Sequence, residues 1–125
     1  MFTKILCVMN VLKNILLLSI LSIGVSFTLV HHGWANYDQE KVLDYTSEIQ
    51  DPTYENPHST MKIEYKEKEW MVILAPASRM QSRGISPEML KEGIKVRVVG
   101  YPHKKIDGEM RAERIFIDDK KYELR

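Results

Sequence analysis

The N-terminal thirty residues differ from the rest of the chain in their charge. Ile15 to Val30 form a run of sixteen residues without a charged side chain, two lysines precede that run, and the first acidic residue is Asp38. A positive segment followed by an apolar and then a polar segment is typical of secretory signals and N-terminal anchors. The sequence therefore predicts a signal peptide or N-terminal membrane anchor in residues 1–30 and an exported part in residues 31–125.

Two alternatives are open for this leader. Ser26 and Gly24 are the small residues that signal peptidase prefers, so cleavage after Ser26 would give a mature chain beginning at Phe27. Without cleavage, residues 5–30 are long enough to cross a bilayer and would tether the domain to the inner membrane. We favour cleavage. In both cases we expect a periplasmic or other extracytoplasmic location, with membrane contact only through an uncleaved leader.

The composition of the exported part limits its chemistry. Without Lys4 and Lys13, 16 basic residues face 17 acidic ones, so no excess of positive charge favours a nucleic-acid partner. The single cysteine, Cys7, lies in the leader, which leaves the exported part without a thiol for a disulfide, a soft-metal site or a nucleophile. About 95 residues suffice for one domain with one core.

Short stretches with a two-residue apolar period predict β-strands along the exported part. One helix is expected near the middle, opened by Ser86-Pro87 and closed by Gly93. The predicted strands cover residues 42–50, 60–65, 69–75, 95–101, 110–118 and 121–124.

Turn signals separate these predicted strands. The first strand should end at Asp51-Pro52, a turn should follow at residues 66–68, and Asp107-Gly108 should form a tight hairpin. The apolar alternation is imperfect over residues 112–117, because Arg114 falls on the parity of its apolar neighbours. This predicts a bulge or an edge there.

The order of the elements favours one fold class. Three strands, a short helix and two or three further strands is the order of an OB-type barrel. We therefore expect a mainly β domain, a small OB-like barrel of five to six strands with one short helix between the third and fourth strands, preceded by an N-terminal hydrophobic helix. An SH3-like barrel or an open sandwich is the alternative.

The histidines are the candidate metal ligands. If His31 led the mature chain, its α-amine and ring nitrogen would suit the tetragonal nitrogen geometry of copper, and a second histidine would complete the site. His58 is the candidate for that second ligand, with His32 as a helper. His103 is the weakest ligand because Lys104 and Lys105 follow it. No cofactor is certain, and copper is the candidate.

Other residues are candidates for binding a ligand without a metal. Arg79 and Arg83 are four residues apart and would share a helix face as an anion clamp. The Trp34 ring, with His103, adds a surface for stacking or hydrogen bonding. No G-x-S-x-G elbow frames a serine nucleophile, and a domain this small forms a water-excluding cleft with difficulty, so we do not expect an enzyme.

Several short motifs in fixed order resemble those of a known family. They are His31-His32-Gly33-Trp34, Glu55-Asn56-Pro57-His58, Ala75-Pro76-Ala77-Ser78-Arg79-Met80 and Gly100-Tyr101-Pro102-His103. Together they resemble a family of small exported bacterial proteins of uncharacterised function. The resemblance implies a periplasmic location and a small β-barrel. Its members commonly carry a small-residue cleavage site directly before the paired histidines, and Thr28-Leu29-Val30 departs from that pattern.

Three functional hypotheses follow from the sequence. The leading one is an exported, non-catalytic binding module for an unidentified small ligand. The second is a copper-binding protein that uses His31 with His58. The third is a docking module that joins an envelope protein through an exposed barrel edge.

Overall fold

The computed structural model describes residues 2–23 and 33–125, and the side chains of residues 2–14 and 33–125. The chain divides into two compact units, Met1–Val30 and His31–Arg125. The first contains helix α1, Phe2–Ile23. Among the described residues, no helix combines the length and hydropathy that a membrane span requires.

The second unit is mainly β, as predicted, with one short α-helix. In the described part of the chain its strands are β1 (Leu43–Glu48), β2 (Gln50–Thr53), β3 (Thr60–Tyr65), β4 (Lys68–Ile73), β5 (Lys95–Pro102), β6 (Glu109–Ile117) and β7 (Lys120–Glu123).

These strands form one mixed sheet in the order β1-β5-β6-β4-β3-β2, with β7 also paired to β6. The β4–β6 pair is parallel and the other pairs are antiparallel. The paired strands make an open path that ends at β1 and β2. We expected a barrel of five to six strands. The described residues form seven strands, and their pairing does not close into a barrel.

The extra strand arises because the predicted first strand is divided at Ile49. The Ile49 N–H donates to the carbonyl of Ile94, and its carbonyl accepts from the Gly93 N–H. Those bonds turn the backbone away from β5 and start β2. Our prediction that the strand ends at Asp51-Pro52 is wrong, because Pro52 lies inside β2. Proline is tolerated there because β2 ends the sheet path, so its missing N–H removes no ladder bond.

The helical region lies between β4 and β5, and its details differ from the prediction. Helix α2 is Ala77–Ser82, upstream of the predicted start, and Ser86-Pro87 opens only a 3-10 turn, Pro87–Leu90. Gly93, at a φ of 85°, then directs the chain into β5.

The connections of the later strands also depend on local hydrogen bonds. The predicted tight hairpin at Asp107-Gly108 is a six-residue connection, because the His103 Nδ1 accepts the backbone N–H groups of Lys105 and Ile106 and forms an earlier turn.

The predicted bulge is confirmed at Glu113. Val99 pairs with Arg114 and Gly100 with Ala112, so Glu113 has no opposite residue.

Gly100 is required where β5 and β6 approach most closely. A Cβ added at Gly100 would lie 2.1 Å from the backbone oxygen of Arg111, a distance at which one of the two strands must move. A Cβ at Gly93 would contact nothing within 4 Å and would meet only the strain of its positive φ.

Gly100→Ala should therefore lower the free energy of unfolding by about 3 kcal/mol, because two backbones must separate inside the sheet. Urea denaturation of the full chain measures this loss. Gly93→Ala is the matched control and should cost about 1 kcal/mol. Equal losses in the two variants would contradict the close approach.

Candidate anion-binding site

An N-terminal arm, residues 33–38, lies against the end of β5. It begins with a 3-10 turn, Trp34–Asn36. Tyr37 then pairs with His103 as an isolated bridge, the Asp38 N–H donates to the Pro102 carbonyl, and the Lys104 N–H donates to the Asn36 carbonyl. These backbone bonds fix the direction in which Trp34 and Tyr37 point.

The arm brings Trp34 onto the face of the sheet opposite the core. On β6, Met110 and Ala112 belong to the core, so Arg111 between them points to the other face. Arg111 is directly opposite Tyr101 on β5 and Ile73 on β4, so these three side chains form one row. The Trp34 ring meets the Tyr101 ring edge-on at a centroid distance of 6.3 Å.

Arg111 is the most unusual charged residue of this face. Only 9% of its surface is exposed, and its guanidinium lies 4.2 Å from the centroid of the Trp34 ring. Among the described residues, no carboxylate or carbonyl accepts a hydrogen bond from it. A guanidinium over an indole is stabilised by the ring quadrupole, but its N–H donors still require acceptors.

A second guanidinium lies over the same ring. Arg125 is 4.5 Å from the Trp34 centroid, is exposed, and donates to the side-chain oxygen of Gln39 at 2.9 Å. The Gln39 amide reaches the carbonyl of Trp34 at 3.5 Å. The C-terminal segment and the N-terminal arm therefore meet at the indole ring.

The predicted arginine clamp lies beside this cluster. Arg79 lies in α2, and Arg83 is the first residue after that helix. Arg79 donates to the carbonyl of Leu124 at 3.5 Å and Arg83 to the carbonyl of Arg125 at 3.2 Å. Both predicted clamp residues thus hold the C-terminal segment, and Arg79 is the one whose charge acts on Arg111.

The electrostatics of Arg111 follow from this arrangement. Burial lowers the pKa of its guanidinium, the positive charges of Arg79 and Arg125 lower it further, and Tyr37 opposes the shift. A cation that has lost hydration and has like charges nearby is stabilised by any anion that reaches it. We name the residues Trp34, Arg79, Arg111 and Arg125 the Trp34–arginine cluster.

Two carboxylates lie near the cluster, and one of them, Glu109, is two residues before Arg111 on the same face of β6. Glu113, at the bulge, accepts from the Tyr101 hydroxyl at 2.7 Å and from Arg114 at 3.3 Å, and lies 3.8 Å from Arg125. The bulge places it beside Arg125 instead of Arg111. The cluster therefore retains an excess of positive charge.

A buried hydrogen bond supports the arm from below. The Tyr37 hydroxyl donates to Glu109 Oε1 at 2.6 Å, and its ring meets His103 edge-on at 5.0 Å. Tyr37 is 1% exposed. Burial and the bond to Glu109 raise the pKa of the phenol far above its usual range, so it remains a donor at every physiological pH.

The predicted histidine ligands are not brought together in the part of the chain that the structure describes. His31 and His32 lie outside the described residues. His58 precedes β3, is half-buried and has a buried Nδ1. His103 is a poor ligand because its Nδ1 already accepts two backbone N–H groups. No group of three His, Cys, Asp or Glu side chains suited to a metal occurs among the described residues.

Trp34, Arg79 and Arg83 were predicted as ligand candidates, and the structure places Trp34 against Arg111 and Arg125, which were not predicted. A partial signal for Arg111 exists, because a charged residue between Met110 and Ala112 must leave the core. Nothing in the sequence indicates that Trp34 covers it. Arg125 carries no signal at all, because its position depends on where the chain goes after β7.

The fold and this cluster define a small mainly β protein with a basic, aromatic outer face. The model of the family described as "Family of unknown function (DUF6152)" matches residues 19–111. The match covers most of the chain, so the chain belongs to this family. It includes Trp34, Arg79 and Arg111 and ends before Arg125. A search among curated proteins finds no match.

Tyr37→Phe should lower the free energy of unfolding by about 1–2 kcal/mol, because it removes a donor from a buried carboxylate. Chemical denaturation of the full chain measures the change. Tyr101→Phe is the matched control, since its hydroxyl also donates to a glutamate but is less buried, and it should cost less than half as much. A Tyr37→Phe variant as stable as the parent would show that this bond does not hold the arm.

Proposed function

We propose that the chain is an exported, non-catalytic binding module whose ligand is an anion bound at the Trp34–arginine cluster. One observation carries the proposal: the Arg111 guanidinium is buried, lies against Trp34 and has no acceptor among the described residues. A guanidinium with little exposure to water has lost part of its hydration, and an anionic ligand offsets that loss.

The chemistry of the cluster favours binding over catalysis. Its charged groups are guanidiniums, which keep their protons at physiological pH and so cannot transfer them. The nearby Tyr37 phenol is buried and already donates to Glu109. Positive charge, a flat aromatic ring and fixed donors are suited to holding an anion in one orientation.

The scaffold we propose is an OB-like barrel. The two ends of the sheet path, β1 and β2, are consecutive segments joined by Ile49, and the Ser47 hydroxyl on β1 donates to the Glu64 carbonyl on β3 at 2.6 Å. In the OB fold a bent first strand closes the sheet, and helical turns come before the fourth strand of the barrel. This likeness concerns architecture and assigns no ligand.

The proposed location is the periplasm or another extracytoplasmic compartment. It is supported by the order of positive, apolar and polar segments in residues 1–38. An anion site outside the cytoplasm would meet small solutes and envelope components.

The test is a titration of the full chain with small anions, followed through the Trp34 indole N–H signal in NMR spectra. Acetate, succinate, sulfate and inorganic phosphate form the panel. We expect at least one of them to shift the signal saturably, and Arg111→Gln to weaken that binding about tenfold or more, the loss of one charge-assisted hydrogen bond.

Arg97→Gln is the matched control, because Arg97 also lies over an aromatic ring, 4.7 Å from the Phe116 centroid, but is paired with Asp44 at 2.7 Å. Its loss should leave anion binding unchanged. If no anion shifts the Trp34 signal, or if both variants bind equally, the proposed function fails.

Copper binding through His31 and His58 is the second candidate. The supporting observation is the position of the arm. Trp34 contacts Arg111 on β6. Strand β3, which follows His58, is the second strand from β6 in the sheet.

If the mature chain begins at His31, wild-type protein should bind Cu(II) with sub-micromolar affinity and His31→Ala should lose that binding. Isothermal titration measures the affinity, and intact mass of the exported protein establishes the first residue. His103→Ala is the control and should bind as the wild type does. A mature chain beginning at Phe27 or Met1 excludes the α-amine ligand.

A further inference from the structure

His103 lies where the arm meets the connection between β5 and β6, residues 103–108. Its backbone N–H donates to the Glu109 carbonyl at 2.9 Å, and it pairs with Tyr37 as an isolated bridge. Its half-buried ring meets the Tyr37 ring edge-on at a centroid distance of 5.0 Å. One residue thus contacts both the arm and the connection.

The ring of His103 closes the connection in one protonation state only. Its Nδ1 accepts the backbone N–H groups of Lys105 and Ile106, each at 3.0 Å. An imidazole nitrogen that accepts hydrogen bonds carries no proton, so this ring is neutral and its proton is on Nε2. A second proton would occupy the Nδ1 lone pair and direct an N–H toward two N–H donors. Protonation therefore removes both bonds.

The connection in turn holds the arm. The backbone N–H of Lys104 lies inside the turn that the ring closes, and it donates to the Asn36 carbonyl at 2.9 Å. The next residue of the arm, Tyr37, contacts the ring itself. Opening of the turn therefore removes support from two consecutive residues of the arm, and Trp34 lies two residues earlier in the same arm.

The arm covers two charged residues of β6. The Tyr37 hydroxyl donates to Glu109 Oε1 at 2.6 Å, and the Trp34 ring lies 4.2 Å from the Arg111 guanidinium. Glu109 and Arg111 are only 8% and 9% exposed. Release of the arm therefore opens both charged groups to water and to ligands.

The charged groups on the elements packed against the His103 ring are of both signs. Lys104 and Lys105 oppose a second proton on the ring, and Glu109 favours one. The other charged groups are two ion pairs and one carboxylate: Asp38 with Lys41 at 3.6 Å, Asp107 with Lys68 of β4 at 2.7 Å, and Glu40. Because these charges nearly balance, the two backbone donors at Nδ1 decide which protonation state the closed turn accepts.

We infer that His103 is a pH-sensitive positioning residue for the arm. The neutral ring closes the turn and holds the arm on β6, whereas the protonated ring opens the turn and releases the arm. The stabilisation is present while the ring is neutral and is lost as the pH falls, because the closed turn excludes the added proton. Acid therefore uncovers Glu109 and Arg111. This inference goes beyond the proposed anion binding and does not depend on it.

The test is hydrogen exchange of the full chain, followed by NMR without added anions, from about pH 7.5 to about pH 5, where an imidazole changes its charge. The reporters are the backbone amides of Lys104 and Asp38, which donate to Asn36 and Pro102 across the junction. Each exchange rate is divided by the intrinsic rate at that pH. We expect the protection of both amides to fall about tenfold or more in acid, the effect of losing two hydrogen bonds.

His103→Asn separates the acceptor from the titration. An asparagine side-chain oxygen accepts backbone N–H groups two and three residues ahead and does not titrate. The variant should keep the turn closed at both pH values and lose the response to acid. Glu109→Gln removes the neighbouring carboxylate and should still respond to acid. A response that persists in His103→Asn, or that disappears in Glu109→Gln, would overturn the inference.

The wild-type chain decides the question even if a variant does not fold. The nitrogen-15 signals of the His103 ring should titrate over the same pH range in which the two amides lose protection. Loss of protection outside that range, or no loss at all, contradicts the inference. Since no anion enters the experiment, its failure leaves the proposed function standing, and a failure of anion binding leaves this result unchanged.

Discussion

The contact between the Trp34 ring and the Arg111 guanidinium organises the outer face of this protein. It places a flat apolar surface over a charged group that a strand in the middle of the sheet path would otherwise expose to water. The arm is held in position by the backbone bridge between Tyr37 and His103 and by the bond from Tyr37 to Glu109. A cation–π contact of this kind is stabilising when the cation is desolvated, and it leaves the N–H donors available.

The same contact connects the two ends of the described domain. Arg125 lies over the indole ring, and the C-terminal backbone is held by Arg79 and Arg83. Residues that hold the C-terminal segment in place thus also supply positive charge to the outer face of the sheet. The family to which the chain belongs is of unknown function, so the proposed anion binding rests on this arrangement of charges. Fold likeness to OB-type barrels does not supply it.

Much of the domain could be predicted from local patterns. Strands β3 and β4 follow from a two-residue apolar period, and the bulge at Glu113 follows from a break in that period. Features that depend on distant partners were not predicted. The division of the first strand at Ile49 requires hydrogen bonds to Gly93 and Ile94, which are distant in the sequence. The longer connection before β6 has a local cause, the ring nitrogen of His103 as an acceptor of backbone N–H groups, but a turn pattern of residue types does not indicate it.

The sequence by itself determined the mainly β character and the absence of cysteine after Cys7, and it predicted a leader in residues 1–30, because charge, apolar period and residue type are local properties. It also identified Trp34 and Arg79 as ligand candidates. Only the tertiary structure decided that Arg111 is buried and that Arg111 and Arg125 both lie over the Trp34 ring. Those three residues are far apart in the chain, and their proximity depends on sheet pairing and on the path of both terminal segments, which no local pattern encodes.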